Sequence, residues 1–321
     1  MKFRSELSTH YSALSTILMK RTEAFDFYQP TTLQEASRLL KDNGPGGRFL
    51  AGGTDLVIAM KEKGLLPKYI VDLKRLPGLA GIRENSDGSI TLGALTTMYA
   101  IETSALIKKR YPFLAQSAAE VGSIQIRNRA TIGGNMANAT PSADTAPALI
   151  ALNATAKIAS AGGERTIKLE DFFKGPGQNA MSADEILTEV TIPKTAANLV
   201  GEYIKFSPRE MMDLAYVGVA VAYNLGTNDK KCDGVRIVLG AVAPTPIRAK
   251  RAEAALEGQV LTEALAEKVG QISAEEAKPI SDVRSSADYR RAMVGTMTKR
   301  ALLNAAVGPA KSWYDRRERR Y

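Results

Sequence analysis

Two pairs of consecutive glycines, far apart in the chain, are the residues whose type and spacing best suit a chemical role. The first pair lies in residues 48–55, RFLAGGTD, and the second lies in residues 131–135, TIGGN. Because glycine has no Cβ, successive backbone N–H groups can turn toward a bound anion without steric obstruction. We therefore expect two such turns to cradle one diphosphate group.

The spacing of these glycines differs from both common phosphate-binding signatures. The chain contains no G-x-G-x-x-G motif after a strand and no G-x-x-x-x-G-K-[ST] motif. These absences argue against a Rossmann or P-loop site and favour a different nucleotide-binding scaffold.

The side chains that usually carry catalysis are almost missing from this sequence. Cys232 is the only cysteine and His10 the only histidine. A disulfide, a four-thiolate zinc site and a protein-held iron–sulfur cluster each need several thiolates. Catalysis by Ser-His-Asp or Cys-His groups needs a histidine in the body of the chain. No clustered carboxylates suggest a metal site either. The sequence therefore predicts chemistry carried by a bound cofactor, with no catalytic side chain of its own.

Charge and hydropathy narrow the class of protein further. The chain has 321 residues, 45% of them hydrophobic, and a formal net charge of +9 that is concentrated near its two ends. The terminal DRRERRY is weak support for nucleic-acid binding, which favours basic residues interleaved with aromatics on one face. No run approaches the roughly 20 apolar residues of a membrane span, and no cleavable signal peptide is evident. We expect a cytoplasmic protein that binds neither nucleic acid nor membrane.

Hydrophobic periodicity and turn residues predict how the chain positions the two glycine pairs. Thr32 and Glu35 have the spacing of a capping box, and Thr54 or Asp55 can cap a helix after the first glycine pair. The predicted helices are 32–42, 54–63, 97–109, 111–121, 148–153, 248–256, 262–272 and 286–306. The predicted strands are 48–51, 68–73, 89–93, 154–159, 165–169, 185–192, 202–206, 217–225 and 235–242.

Three stretches together resemble a known family. AGGTDL at 51–56, IRNRATIGGN at 126–135 and SAD at 142–144, with the spacing between them, are similar to the FAD-binding (medium) subunits of the molybdenum hydroxylase or xanthine dehydrogenase family. Medium subunits of aerobic-type carbon monoxide dehydrogenase belong to that group. The resemblance covers about residues 24–305.

The resemblance implies an α+β fold. A two-subdomain FAD-binding module of the vanillyl-alcohol-oxidase type is expected first, and a C-terminal domain with a three-stranded antiparallel sheet and helices follows it. The implied boundaries are an N-terminal extension at 1–23, FAD-binding subdomains at 24–80 and 81–198, a C-terminal domain at 199–306 and a basic tail at 307–321.

The resemblance also implies a non-covalently bound FAD and the residues that bind it. The expected cofactor-binding residues are Phe49, Leu50, Ala51, Gly52, Gly53, Thr54, Asp55, Leu56, Thr131, Ile132, Gly133, Gly134, Asn135, Asp144, Leu187 and Lys205. Three of them have a simpler interpretation beside this one. Asp144 can be a helix cap, Leu187 ordinary core, and Lys205 a surface residue of a strand.

The family's function implies partners. The molybdenum cofactor is expected on a large subunit and 2Fe-2S clusters on a small one, while this chain passes electrons through FAD to NAD or another acceptor. Unlike hydroxybenzoyl-CoA reductases, the chain has no cysteine-bearing insertion after the second glycine pair, so an extra cluster there is excluded. A stand-alone flavin-dependent oxidoreductase and a non-catalytic assembly subunit remain as alternatives.

Overall fold

The computed structural model describes residues 24–209 and 212–307, in which three main sheets follow one another along the chain. The first sheet contains β1 (Asp26–Tyr28), β2 (Gly47–Leu50) and β3 (Tyr69–Asp72), in the order β1-β3-β2 with parallel pairing. Its helices are α1 (Leu33–Asn43) and α2 (Leu56–Glu62), and a 3-10 turn at Leu73–Arg75 follows β3. The parallel unit agrees with the predicted order of elements, although β1 was not predicted.

The two helix starts predicted in this unit have different outcomes. At α1 the Thr32 hydroxyl accepts a hydrogen bond from the Glu35 N–H at 3.2 Å, and the Glu35 carboxylate accepts one from the Thr31 N–H at 3.0 Å. The predicted cap is therefore confirmed. At α2 the helix begins directly after Asp55, but the Asp55 side chain makes no capping hydrogen bond. The position was predicted correctly and the capping interaction was not.

The second sheet contains β4 (Ile82–Glu84), β5 (Ile90–Gly93), β6 (Thr155–Ser160), β7 (Gly163–Lys168) and β10 (Ile186–Ile192). It is antiparallel and has the order β4-β5-β10-β6-β7. A small hairpin contains β8 (Phe173–Gly175) and β9 (Gln178–Asn179). A 3-10 turn at Leu169–Asp171 leads into that hairpin. Strands β4, β8 and β9 were not predicted.

Helices join β5 to β6 in this sheet. They are α3 (Met98–Thr103), α4 (Ala105–Arg110), α5 (Pro112–Ala119), α6 (Ile124–Arg127), α7 (Ile132–Asn138) and α8 (Thr145–Ala151). The prediction of one helix over 97–109 is wrong because the chain turns at Ser104, whose extended backbone ends α3 and whose hydroxyl accepts from the Ile107 N–H to cap α4. The second glycine pair also differs from the expected open turn, since it lies within the first turn of α7.

The third sheet has five strands rather than the expected three. They are β11 (Leu199–Phe206), β12 (Val217–Leu225), β13 (Lys231–Gly240), β14 (Ile247–Arg248) and β15 (Gln259–Val260), all paired antiparallel. The three long strands are those predicted, and the two additions are two-residue strands beside β13. Three helices follow: α9 (Lys250–Leu256), α10 (Glu263–Glu276) and α11 (Ala287–Val307). The α+β fold is thus confirmed, and its C-terminal sheet has two more strands than predicted.

Both faces of the third sheet are buried, and this joins it to the rest of the molecule. Alternate residues of β12 point to opposite faces. Val219 and Val221 pack in a core with α9–α11, whereas Ala220 and Ala222 pack in the main core with helices α3–α5, α7 and α8. A strand buried on both faces reads as a continuous apolar run, as residues 217–223 do.

The predicted domain boundaries stay a prediction. The three sheets lie at 26–72, 82–192 and 199–260, and the last described helix ends at Val307. The expected N-terminal extension at 1–23 and the basic tail beyond Val307 lie outside the described residues.

Gly201 provides a test of how tightly the third sheet packs on the preceding helices. A Cβ at Gly201 would lie 2.5 Å from Phe113 Cε1 and 2.8 Å from the Val221 carbonyl oxygen. We expect Gly201→Ala to lower the free energy of unfolding by about 1–3 kcal/mol, the usual cost of overpacking. The matched control is Gly162→Ala, whose Cβ would meet only Ser160 Oγ at 3.5 Å. Denaturant unfolding of both variants measures the difference, and equal stabilities would contradict the packing described.

Candidate functional site

The first glycine segment follows β2 at the end of the parallel sheet. Strand β2 stops at Leu50, and Gly53 adopts a positive φ of 80° that turns the chain toward α2. Only glycine enters that backbone region without strain. The carbonyl oxygen of Gly53 then accepts the first helical hydrogen bond, from the Val57 N–H at 3.0 Å.

The turn leaves a row of backbone donors without partners. Within the described part of the chain, the N–H groups of residues 52–56 donate no hydrogen bond. The first N–H groups of a helix and of the turn before it commonly lack internal acceptors and can bind an anion. This segment therefore has the donors that the sequence predicted.

The second glycine segment is different, because its N–H groups already have acceptors. The Ile132 N–H donates to Thr96 O at 2.9 Å, and the Gly133 N–H donates to Ala94 O at 2.8 Å. The Gly134 N–H donates to the Thr131 hydroxyl at 3.1 Å, and the next N–H, of Asn135, donates to the Thr131 carbonyl at 2.9 Å. The expectation that both glycine pairs offer free N–H groups is therefore wrong for this one.

The two segments nonetheless meet in space, as the sequence predicted. A Cβ at Gly52 would overlap the carbonyl oxygen of Arg129 and lie 3.1 Å from Ala130 Cα. On the neighbouring turn, a Cβ at Gly134 would lie 3.8 Å from Ala51 Cβ. One glycine of each pair serves packing: Gly52 lets the two backbones touch, and Gly133 packs on Ala94, where an added Cβ would lie 2.6 Å from the Ala94 Cβ.

A cavity of about 1230 Å³ opens beside these segments. Of the residues predicted to bind the cofactor, those that line it are Phe49, Ala51, Gly52, Gly53, Thr54, Asp55, Leu56, Thr131, Gly133, Gly134, Asn135, Asp144 and Leu187. Leu50, Ile132 and Lys205 do not line the cavity. Ile132 is fully buried in the main core, and Lys205 lies behind Asp144.

Other parts of the cavity wall were not named from the sequence. Asn138 at the end of α7 and Thr140 and Ser142 in the loop after it contribute polar groups. Residues 181–183, 185 and 186, before and at the start of β10, line another side. Residues 212–214, between β11 and β12, also reach the cavity, and no pattern in the sequence marks them as part of a site.

Asp144 lies at the centre of a buried polar cluster on the cavity wall. Its side chain does not cap α8; Oδ1 accepts a hydrogen bond from the Tyr203 hydroxyl at 2.8 Å, and Oδ2 accepts one from Lys205 Nζ at 2.9 Å. Burial raises the pKa of Asp144 above its usual value, although the Lys205 ammonium and both hydrogen bonds oppose that shift. Burial and Asp144 also raise the pKa of Tyr203 well above 10. The helix-cap and surface-strand interpretations of Asp144 and Lys205 are therefore wrong.

Asn135 is held in the same region by the residue after Asp144. The Thr145 hydroxyl donates to Asn135 Oδ1 at 2.8 Å. Since Oδ1 is the acceptor, the amide Nδ2 is left as a donor on a residue that lines the cavity. Leu187 is 5% exposed and belongs to the main core, which confirms its core interpretation. It also lines the cavity, and its role in binding the cofactor stays a prediction.

Two further properties of the described residues bear on the kind of site. No group of three or more histidine, cysteine, aspartate or glutamate residues in that part of the chain could hold a metal ion. Over residues 24–209 and 212–307, no helix combines the length and apolar character that crossing a membrane requires.

Comparisons with known proteins agree with this geometry. Residues 23–195 match the family described as the FAD binding domain in molybdopterin dehydrogenase, and residues 202–305 match the CO dehydrogenase flavoprotein C-terminal domain. The chain is 33% identical over 282 residues to the carbon monoxide dehydrogenase medium chain of Hydrogenophaga pseudoflava, covering 88% of this chain and 96% of the relative. It is also 33% identical over 287 residues to the xanthine dehydrogenase FAD-binding subunit of Escherichia coli O157:H7, covering 88% and 97%.

Solved structures give the same result. A chain of the carbon monoxide dehydrogenase from Hydrogenophaga pseudoflava superimposes with a TM-score of 0.85 at 34% identity, covering 89% of this chain and 98% of the other. A chain of quinoline 2-oxidoreductase from Pseudomonas putida 86 superimposes with a TM-score of 0.83 at 32% identity, covering 89% and 98%. The similarity therefore extends over nearly all of the described chain.

The different environments of the glycines predict different effects of substitution on stability. We expect Gly52→Ala to lower the free energy of unfolding by about 2 kcal/mol or more, because the new Cβ meets the Arg129 backbone, which cannot move aside easily. The Cβ of Gly134→Ala meets only side-chain atoms, the Thr131 hydroxyl at 3.0 Å and Ala51 Cβ at 3.8 Å, and the substitution gains helix propensity, so we expect a change below about 1 kcal/mol. Denaturant unfolding compares the two, and similar losses in both would show that the segments do not meet as described.

Proposed function

The chain belongs to the family of FAD-binding subunits of molybdopterin dehydrogenases, and from this premise we propose that it is the electron-transfer subunit of a multi-subunit molybdenum dehydrogenase. It is an oxidoreductase subunit with an FAD-binding domain over residues 23–195. In the proposed complex, electrons leave 2Fe-2S clusters on a small partner subunit and reach NAD or another acceptor through this chain. The molybdenum cofactor is on a large partner subunit.

The observation that carries the proposal is the row of unpartnered N–H groups at residues 52–56, on the wall of a cavity of about 1230 Å³. A diphosphate is an anion rich in acceptors, and a row of backbone N–H groups can bind it. Gly134 is the glycine of the second pair whose added Cβ would meet no backbone atom outside its own helix. The space beside it suits a phosphate that approaches the backbone closely.

The remaining wall residues have roles that follow from their contacts. Asp144 keeps acceptor capacity on both oxygens after bonding Tyr203 and Lys205, so it accepts a hydroxyl or amino hydrogen of the cofactor. Leu187 and Phe49 provide apolar surface that excludes water from a ring system. Asn135 donates through Nδ2. When bound, FAD supplies the redox chemistry, accepting electrons and passing them on to an acceptor.

The cysteine content of the chain supports placing the metal centres on partner subunits. Iron–sulfur clusters need several cysteine thiolates, and Cys232 is the single cysteine of the chain. It is buried, and burial raises the pKa of its thiol to about 11, so it is a poor metal ligand at neutral pH. A free thiol also suits the reducing cytoplasm, where we place the complex.

FAD binding by the full chain tests the cofactor part of the proposal. We expect the apo chain to bind FAD, with quenching of flavin fluorescence as the readout. We expect Gly134→Val to weaken that binding about 10-fold to 100-fold, since the side chain fills space next to the proposed diphosphate. Gly162→Val is the control, because Gly162 lies in the β6–β7 hairpin away from the cavity. Undiminished binding by a folded Gly134→Val chain would remove this segment from the site.

The composition of the native complex tests the electron-transfer part. The chain, purified with an affinity tag from cells that contain its natural partners, should bring with it two further subunits, molybdenum and iron. We expect the bound FAD to be reduced when the substrate of the complex is added. A flavin-containing chain that purifies alone and oxidises an organic substrate by itself would instead support a stand-alone flavin oxidoreductase.

A further inference from the structure

Tyr203 connects the third sheet to the cavity through Asp144. It lies on β11 and is fully buried, and its hydroxyl donates to Asp144 Oδ1 at 2.8 Å. Its backbone carbonyl accepts a hydrogen bond from Gln116 Nε2 at 2.7 Å. Tyr203 is therefore held at its backbone by α5 and at its ring by the core, so the hydroxyl has a fixed position.

A glycine on the adjacent strand makes room for that hydroxyl. Gly218 on β12 pairs with Lys205 in the register of the sheet, and a Cβ at Gly218 would lie 3.2 Å from the Tyr203 hydroxyl oxygen. A larger residue there would push the hydroxyl from its place. The sheet thus accommodates Tyr203 in the single orientation that reaches Asp144.

Lys205 and Tyr203 act on different oxygens of one carboxylate. Lys205 Nζ donates to Asp144 Oδ2 at 2.9 Å and to the Glu120 carbonyl oxygen at 3.0 Å, and its side chain is only 6% exposed. Lys205 alone would offset the charge of Asp144 but leave the carboxylate plane free to rotate about its Cβ–Cγ bond. The second bond, from Tyr203 to Oδ1, fixes that plane. Each oxygen keeps a further lone pair for a donor in the cavity.

The residue after Asp144 orients a side chain of the second glycine segment. Thr145 follows Asp144 directly, and its hydroxyl donates to Asn135 Oδ1 at 2.8 Å. Asn135 and Asp144 both line the cavity. A carboxylate held in place by two donors therefore stands beside an amide whose orientation is set by Thr145.

We propose that Tyr203 is a positioning residue for the cofactor: it orients the Asp144 carboxylate toward a hydroxyl or amino donor of FAD and so makes cofactor affinity depend on the third sheet. The inference rests on the proposed function, since it takes FAD as the molecule in the cavity. Tyr203 itself does not line the cavity, and its effect is exerted through Asp144.

The chain offers a matched control in Tyr223. This tyrosine is also fully buried and lies on β12, and its hydroxyl donates to a buried acceptor, the Leu302 carbonyl oxygen, at 2.8 Å. It packs in the core beside α9–α11, on the face of the sheet opposite to Asp144. Tyr203→Phe and Tyr223→Phe therefore each remove one buried hydroxyl and one hydrogen bond, and only the first touches the cavity wall.

The experiment measures the dissociation constant of FAD for the full-length apo chain and its variants, by quenching of flavin fluorescence, together with their denaturant unfolding. We expect both tyrosine substitutions to lower the unfolding midpoint. We expect only Tyr203→Phe to weaken FAD binding, by about fivefold to tenfold, which is the net contribution of one typical hydrogen bond. Equal affinities in the two variants, or an unchanged affinity in Tyr203→Phe, would overturn the inference.

A second comparison separates positioning from general stability. In a chain carrying Asp144→Ala and Lys205→Met, no carboxylate remains for Tyr203 to orient, so adding Tyr203→Phe should leave the FAD affinity unchanged. A further fivefold loss there would show that Tyr203 acts by another route. If the unsubstituted chain bound no FAD, the proposed function and this inference would both fall, whereas binding with equal effects of the two tyrosines would overturn the inference alone.

Discussion

The arrangement of the whole site depends on a contact between two backbones. Gly52 leaves the parallel sheet and touches the Arg129 carbonyl and Ala130 just before the second glycine pair. Any side chain at Gly52 would separate them. The first segment follows β2 of the first sheet, and the second lies between β5 and β6 of the second sheet. The contact therefore fixes how these two parts of the chain pack together, and it places the turn at Gly53 at the edge of the cavity. A requirement for closely packed backbones thus explains one glycine of each pair without reference to a ligand.

The two glycine segments have different roles because their N–H groups differ in hydrogen bonding. The first has N–H groups without acceptors, and the second has used its own to build the first turn of α7 and to join it to residues 94–97. Of the two glycine segments, only the first therefore offers backbone donors to an anion in the cavity. At the second, the anion would find a surface free of side-chain bulk at Gly134 and a polar amide at Asn135. The second segment therefore contributes mainly to the shape of the site, because its backbone N–H groups already have acceptors.

Much of this could be predicted from the sequence, and the failures have physical reasons. Hydrophobic periodicity and helix-capping residues predicted most of the long helices and strands, such as α1 with Thr32 and Glu35, because those signals are local in the sequence. The strands β14 and β15 were missed because two residues are too few to show an alternating hydrophobic pattern, and only their pairing with β13 defines them. Glycine pairs indicated a binding site, but whether an N–H is free depends on tertiary partners such as Ala94, which spacing does not reveal. Tyr203 was missed for the same reason: in the sequence it is one apolar residue of a strand.

The third sheet is part of the site rather than an appendage to it. It provides one wall of the main core through Ala220 and Ala222, holds Asp144 through β11, and reaches the cavity with residues 212–214. Burying Asp144 and Lys205 costs desolvation free energy that their mutual attraction and hydrogen bonds must offset. The two donors to Asp144, Tyr203 and Lys205, both lie on β11, so Asp144 has its partners only when this sheet is folded against the rest of the chain. A ligand that binds only the assembled cavity stabilises every unit that builds its walls. In the proposed complex with FAD, cofactor binding would therefore be thermodynamically linked to the folding of all three sheets.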